Sequence, residues 1–322
     1  MVTTTDRTQS TVKAPADDPD DIGGLAGSWD LSLAAARKSR ATRDVYGQAL
    51  RQFAAYLAEQ GMPTNVRAVK REHVEAWMVY LMARWKPATA HNRYRSLHSF
   101  FGWAMDEGLV PTSPMERMKP PKMDRVAVPF PDAADILRVI AGTEADKSPM
   151  GRRDAALLRL LYDTGMRRAE AADLRVGDVD IRRGIARVVR GKGGKARQVV
   201  FSPETAKALD SYINRGRRQL PGYGETDALW LGHRGAGDIG LIRHVVEGRS
   251  KAVGVALHPH LLRHAWASRA LRAGMPMPSL QSLGGWDDMT MPRRYAAHDE
   301  AERAVLDAKR LMFGEDPSDA RR

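Results

Sequence analysis

A chain of 322 residues with 43% hydrophobic content is long enough for one large or two modest globular domains. Its formal net charge of +12 favours a polyanionic partner, either nucleic acid or acidic lipid, but no apolar run approaches the roughly 20 residues a membrane-spanning helix needs. Cysteine is absent, which excludes disulfides, cysteine-bound zinc and thiol nucleophiles, and the polar start Met1–Asp6 is not a secretory signal, so a cytoplasmic location fits.

Residues 1–28 are rich in Thr, Ser, Asp, Pro and Gly, hold five aspartates against Arg7 and Lys13, and read as a disordered leader. A helical segment spans 29–118. A short helix is expected around Leu31–Lys38. Tyr46, Leu50, Phe53 and Leu57 then recur at helical spacing, with Gly61 placed to stop that helix. Val74, Trp77, Met78 and Leu81 make a second stripe, and Tyr94, Leu97, Phe101 and Ala104 a third, ended by Gly108. Together they predict a bundle of about four helices with these aromatics as core. Asn92, Arg95 and Ser99 lie opposite the third stripe, on a face that either meets DNA or is simply solvated.

Residues 119–129 hold Pro120, Pro121 and Pro129 among basic side chains and read as an extended linker. A second domain, 130–313, follows. Ile136, Leu137 and Ile140 suggest its first helix, and Ala155–Tyr162 a second that runs into a turn at Gly165. Ile185–Arg190 and Gln198–Phe201 read as strands joined by the turn Gly191-Lys192-Gly193-Gly194-Lys195. Ser202-Pro203-Glu204 is a helix start, with a cap, a proline at the first helical position and an acid in the first turn. Further helices are expected at His258–Ala273, at Ser279–Gly284 and, after Tyr295, at about Glu300–Phe313, before a polar tail at 314–322.

Three segments carry chemistry, in the order Thr164-Gly165-Met166-Arg167, His260-Leu261-Leu262-Arg263 and Arg293-Arg294-Tyr295. A phosphodiester in transfer gathers negative charge, and guanidinium suits it because the planar fork donates bidentately and stays charged. Arg167 follows a tight Thr-Gly turn that would hold it at a helix start, while His260 and Arg263 share a helix face. A free phenol loses its proton only near pH 10, so neighbouring cations must favour the Tyr295 phenolate or a histidine must take the proton. The leaving oxygen needs a general acid, for which Lys192 on its glycine turn is the first candidate and Lys195 the rival; a turn touching phosphates non-specifically remains open. Trp286 can donate to a phosphate oxygen but cannot shuttle a proton, and core packing is its plainer reading. There is no Walker-type loop and no acidic cluster dedicated to Mg²⁺, so neither cofactor nor metal is expected.

Over residues 29–313 the ordered set resembles the tyrosine recombinase (lambda-integrase) family, of the simple Cre- or Xer-like two-domain type. The resemblance implies a mainly α fold with a small β-sheet: a helical SAM-like core-binding domain, 29–118, and a mixed α/β catalytic domain, 130–313. It assigns catalysis to Arg167, Lys192, His260, Arg263, Trp286 and the nucleophile Tyr295, with Glu170 as an acidic support. It implies a site-specific DNA recombinase that forms a 3′-phosphotyrosyl intermediate and a Holliday junction, acting as a homo-tetramer on double-stranded sites, with an accessory directionality factor as a further partner. Trp rather than His nine residues before Tyr295 points to a phage, plasmid or mobile-element enzyme. A Xer-like dimer resolvase, a type IB topoisomerase-like enzyme and a non-catalytic DNA-binding regulator are the alternatives.

Overall fold

The structure is a computed structural model that describes residues 19–122, 132–189 and 196–313. The chain divides into two compact units, 1–127 and 128–322, each with its own hydrophobic core.

The first unit holds four helices: α1 (Ala26–Ala35), α2 (Arg40–Glu59), α3 (Arg71–Arg84) and α4 (Pro87–Asp106). Helix α2 starts where the Ser39 hydroxyl accepts the Thr42 amide, and chain reversal after it falls on Gly61 at φ +66°. The predicted stripes form the core: Leu50, Phe53 and Leu57 from α2, Trp77 from α3, and Leu97, Phe101 and Ala104 from α4 are all buried. Aromatic rings interlock at its centre, with Trp29 edge-on to Phe100 at 5.3 Å and Phe53 tilted on Trp77 at 5.0 Å. Asn92 and Arg95 stand exposed on α4, with Ser99 half-buried on the same side.

The leader expectation needs correction. Residues 1–18 lie outside the described residues, but 19–28 are folded onto the bundle. Ile22 is fully buried and donates its amide to Thr64 O at 3.0 Å, while the Val66 amide reaches Asp20 O at 2.8 Å. Asp20 and Asp21, which read as solvating charges, pair with Arg67 and cap the turn at Gly23. Helix α1 consequently begins five residues earlier than expected and turns Trp29 and Leu33, not Leu31, into the core.

The second unit is built around α6 (Pro149–Thr164), whose Leu157, Leu158, Leu160 and Leu161 are all buried. Around it come α5 (Ala133–Glu144), α7 (Arg168–Ala172), β1 (Val179–Asp180), β2 (Ile185–Val188), β3 (Arg197–Val200) and α8 (Pro203–Ser211). There follow β4 (Leu231–Gly232), β5 (Gly235–Ala236), α9 (Ile239–Ala252), α10 (Pro259–Arg272), α11 (Met277–Gly284) and α12 (Thr290–Phe313). Strands β1, β2 and β3 form an antiparallel sheet in which Val188 pairs with Arg197 and Ile185 with Val200. Ser202 caps α8 as its sequence predicts, and Asp163 at the end of α6 accepts from both the Ser202 amide and the Thr205 hydroxyl.

The short β1, the hairpin β4–β5 and α9 were not expected from the sequence, whereas α7 begins where the Thr-Gly turn sets Arg167 at a helix start. Helix α9 is tied down by charge as well as by Ile242 and Val246, since Arg249 bridges Asp154 and Asp146 at 2.7 and 2.8 Å. The larger correction concerns the end of the chain. Instead of a helix following the tyrosine, one continuous helix from Thr290 to Phe313 contains it. Among the described residues no helix is long and apolar enough to cross a membrane.

Candidate active site

Helix α6 ends at Gly165, which adopts φ +56°; a Cβ there would also come within 2.2 Å of the Trp266 ring, so glycine is required twice over. The turn it makes delivers Arg167 as the residue capping α7. Arg167 donates its backbone amide to Glu170 Oε2 at 2.7 Å and one guanidinium nitrogen to Oε1 at 2.8 Å. Its other terminal nitrogen reaches Gly285 O at 2.6 Å.

Arg263 comes from α10 and is only 5% exposed. One nitrogen donates to Gly165 O at 2.7 Å and another to Gly284 O at 2.6 Å, and the guanidinium lies over the Trp286 ring at 4.4 Å. The two arginines therefore take hold of adjacent carbonyls at the end of α11. Those carbonyls lack intrahelical partners and carry the negative end of the helix dipole, which suits cations. Gly285 closes α11 at φ +63°, and a side chain on Gly284 would run into Trp286 at 2.2 Å.

A third guanidinium occupies the same helix end. Arg197, the first residue of β3, donates Nε to Leu283 O at 2.7 Å and grips both carboxylate oxygens of Glu170 at 2.9 and 2.7 Å. Sequence reasoning passed over it among 51 basic residues. Its only signal was the burial alternation of β3, which places Arg197 on the inward side with Val199.

Tyr295 lies one turn into α12 and is 3% exposed. Its ring meets Trp286 at 5.6 Å and, edge-on, His264 at 5.1 Å, in a small cluster with Trp266, Ala267 and Leu280. This revises the expected electrostatics. Burial pushes the Tyr295 phenol up, and the charges of Arg263 and Arg294 offset this only in part, so the phenolate is not favoured in the DNA-free protein. Burial also lowers Arg263, to about 10, with Arg167 adding to the effect, and it remains a cation at neutral pH. His260 is held below its ordinary value by partial burial and then by His258 and nearby arginines, so it is neutral near pH 7 and able to accept a proton. His264, not singled out in the sequence, is pushed down to about 4 by burial and then by His260 and Arg294.

The structure thus brings Arg167, Glu170, His260, Arg263, Trp286 and Tyr295 into one region of the second unit. Lys192 and Lys195 lie outside the described residues. Asn92, Arg95 and Ser99 belong to the other unit.

Burial raises the Glu170 carboxyl, but the bonds from Arg197 and Arg167 win and hold it at about 2, against an ordinary 4.5. A carboxyl depressed in the folded state contributes stability fully present above pH 4.5 and lost as pH falls toward 2. Thermal melts should fall through that window, and Glu170→Gln should make the fall shallower. An unchanged acid slope in that variant would show the carboxylate to be uncoupled from folding.

The phage integrase family model matches residues 132–302, and the model of the phage integrase N-terminal SAM-like domain matches residues 27–108. The chain belongs to the phage integrase family. It is a tyrosine recombinase, a site-specific enzyme that breaks and rejoins DNA. Among curated relatives of this recombinase, tyrosine recombinase XerD of Ralstonia nicotianae is 31% identical over 80% of this chain and 83% of its own length. Tyrosine recombinase XerC of Herpetosiphon aurantiacus is 31% identical over 81% of this chain and 85% of its own. The fold of the recombinase is also that of the Tn1549 transposon integrase in complex with transposon right end DNA, at TM-score 0.67 and 19% identity over 88% of this chain and 99% of that one. XerH bound to a palindromic difH substrate matches at TM-score 0.67 and 15% identity, over 89% of this chain and 84% of that one. The mainly α fold with a small sheet, expected from the sequence, is the fold of the recombinase.

Proposed function

We propose that this recombinase cuts and rejoins DNA through a 3′-phosphotyrosyl intermediate, with Tyr295 as nucleophile. The observation that carries the reading is the attachment of Arg263 and Arg167 to successive carbonyls, Gly284 and Gly285, just before the Trp286–Tyr295 segment. Two fixed cations beside one phenol suit in-line attack on a phosphodiester. The Tyr295 oxygen attacks phosphorus, and the phosphorus–5′-oxygen bond breaks. The phenolic proton passes to His260, and the leaving 5′-oxygen takes a proton from Lys192, or from Lys195 if that lysine is the acid. Arg167 and Arg263 neutralise the non-bridging oxygens, and Glu170 orients Arg167. In rejoining, the 5′-hydroxyl of a partner strand attacks the phosphotyrosine and returns the phenol, by way of a Holliday junction. No step consumes a nucleotide or a metal ion.

Tyr295 is buried without DNA, so its release belongs to assembly on the recombination site. Four protomers acting on two double-stranded sites fit this reading, with the end of α12 as the tether between them; Leu311 and Met312 there are 84% and 73% exposed. Asn92, Arg95 and Ser99 face the DNA duplex, an accessory factor sets direction, and the protein works at the nucleoid. The XerD and XerC relatives favour a second reading, a Xer-like resolvase of chromosome or plasmid dimers with the same chemistry. Trp286 favours the first, a mobile-element enzyme.

A nicked suicide duplex carrying the cognate site, sought in the DNA flanking the gene, tests the chemistry. A covalent adduct should form in excess EDTA, and its tryptic peptide should carry the DNA on Tyr295. Attachment at another residue, or a requirement for metal, would refute the scheme. Recombination between two sites, as opposed to relaxation alone, then separates this reading from a topoisomerase-like one.

A further inference from the structure

We propose that Arg197 is a positioning residue for Arg167, fixing the phosphate-gripping guanidinium through Glu170 and the end of α11. The inference rests on the reading that Arg167 binds the scissile phosphate.

Four side-chain and main-chain groups close a ring. Arg197 holds Glu170 with two parallel bonds, at 2.9 and 2.7 Å, and holds Leu283 O with its third donor at 2.7 Å. Glu170 holds Arg167 by both its amide and its guanidinium, and Arg167 returns to Gly285 O, two residues beyond Leu283. Each Glu170 oxygen thus accepts one bond from Arg197 and one from Arg167. The Arg197 side chain is 10% exposed and that of Glu170 3%, so these bonds are shielded from water. Each of the three nitrogens of Arg197 makes a bond within the frame. The packing is tight on the other side too, since a Cβ on Gly285 would lie 2.7 Å from an Arg197 nitrogen and 3.2 Å from one of Arg167.

The chemistry follows from what Glu170 does alone. A buried carboxylate facing only Arg167 would draw that guanidinium into a bidentate pair of its own and away from Gly285. With Arg197 occupying the fork geometry, Glu170 offers Arg167 one side-chain contact, and the other terminal nitrogen of Arg167 stays on Gly285 O. Lysine cannot replace Arg197 fully, because a point charge reaches Glu170 or Leu283 O but does not bridge both as a planar fork does.

The test compares Arg197→Met, Arg197→Lys and the double variant Arg197→Met/Glu170→Gln. Gel shifts on single-site DNA should stay within about threefold of wild type, since misplacing one catalytic group leaves the binding surface intact. Adduct formation should fall about 10²-fold in the Met variant, the scale of a roughly 1 Å misplacement, and recover in part with Lys. The double variant should be no slower than Arg197→Met, because the two residues act as one unit. A second readout needs no reaction. The ¹³C signal of the Glu170 carboxyl should titrate at higher pH in the Met variant than in wild type. The charges facing it are Arg167 from the turn before α7, Arg197 from β3 and Arg263 from α10, and the cavity beside it is lined by Asp173, Asp178 and Arg187. Losses that simply add in the double variant, wild-type adduct rates in Arg197→Met, or an unchanged Glu170 titration would each overturn the inference. Failure of the wild-type protein to form any adduct would count against the proposed chemistry, and the carboxyl titration would still decide the role of Arg197. Should the Met variant fail to fold, Arg197→Lys is read alone: full activity with an unmoved Glu170 titration overturns the proposal.

Discussion

Tyr295→Phe will abolish covalent attachment to DNA while leaving site binding nearly intact. Only an oxygen is removed. The phenyl ring keeps its contacts with Trp286 at 5.6 Å and His264 at 5.1 Å, so the 3%-exposed position stays filled. Removing a covalent nucleophile costs about 10⁶-fold in rate, far beyond any effect of repacking. Adduct formation on a nicked duplex, followed over hours, is the measurement. A stable adduct formed by the Phe variant would remove Tyr295 from the chemistry, and weakened binding would give the hydroxyl a structural role instead.

Arg263→Ala will reduce cleavage by at least 10²- to 10³-fold, the scale for losing one preorganised donor to developing negative charge. It will also destabilise the fold. Gly165 O and Gly284 O each lose a charged donor in a buried setting, and an unsatisfied buried acceptor costs about 1–3 kcal/mol. The two effects separate with Arg263→Lys, which keeps the cation but not the fork. That variant should melt closer to wild type than the Ala variant yet cleave at least about 10²-fold more slowly, because a lysine cannot serve two carbonyls and a phosphate together. A lysine variant that cleaves within a factor of ten of wild type would demote Arg263 to a structural strut.

How much of this was legible in the sequence depends on where each residue's partners lie. The aromatic stripes of α2, α3 and α4 gave their helices because the partners sit three and four residues away on the same face. The Arg167, Arg263 and Tyr295 set was readable because its members carry recognisable neighbours: a Thr-Gly turn, a His at three residues, a Trp at nine. Residues 19–28 misread because a folded turn capped by aspartates has the same composition as a solvated leader; the pairing of Asp20 with Val66 and Arg67 is non-local. Helix α9 starts at an Asp238 cap that accepts the Leu241 amide, but its composition is ordinary and it is fixed by Arg249 reaching residues about a hundred positions earlier. Arg197 was invisible for the same reason, since its partners at 170 and 283 come from either side in the chain. The burial of Tyr295, which reverses the expected effect on its phenol, depends on Trp266, Leu280 and Trp286 closing around it.

The end of α11 also fixes a phase. Leu283 O, Gly284 O and Gly285 O each receive a different arginine, from β3, from α10 and from the turn before α7. In an α-helix each added residue rotates the positions beyond it by about 100° and advances them by about 1.5 Å. One residue inserted into or deleted from Met277–Gly284 would therefore swing all three carbonyls away from their arginines at once, while a point substitution disturbs one. The length of this eight-residue helix is in effect a gauge for the whole site. A change of one residue in the length of α11 should therefore silence the enzyme even where each side chain of the site is kept.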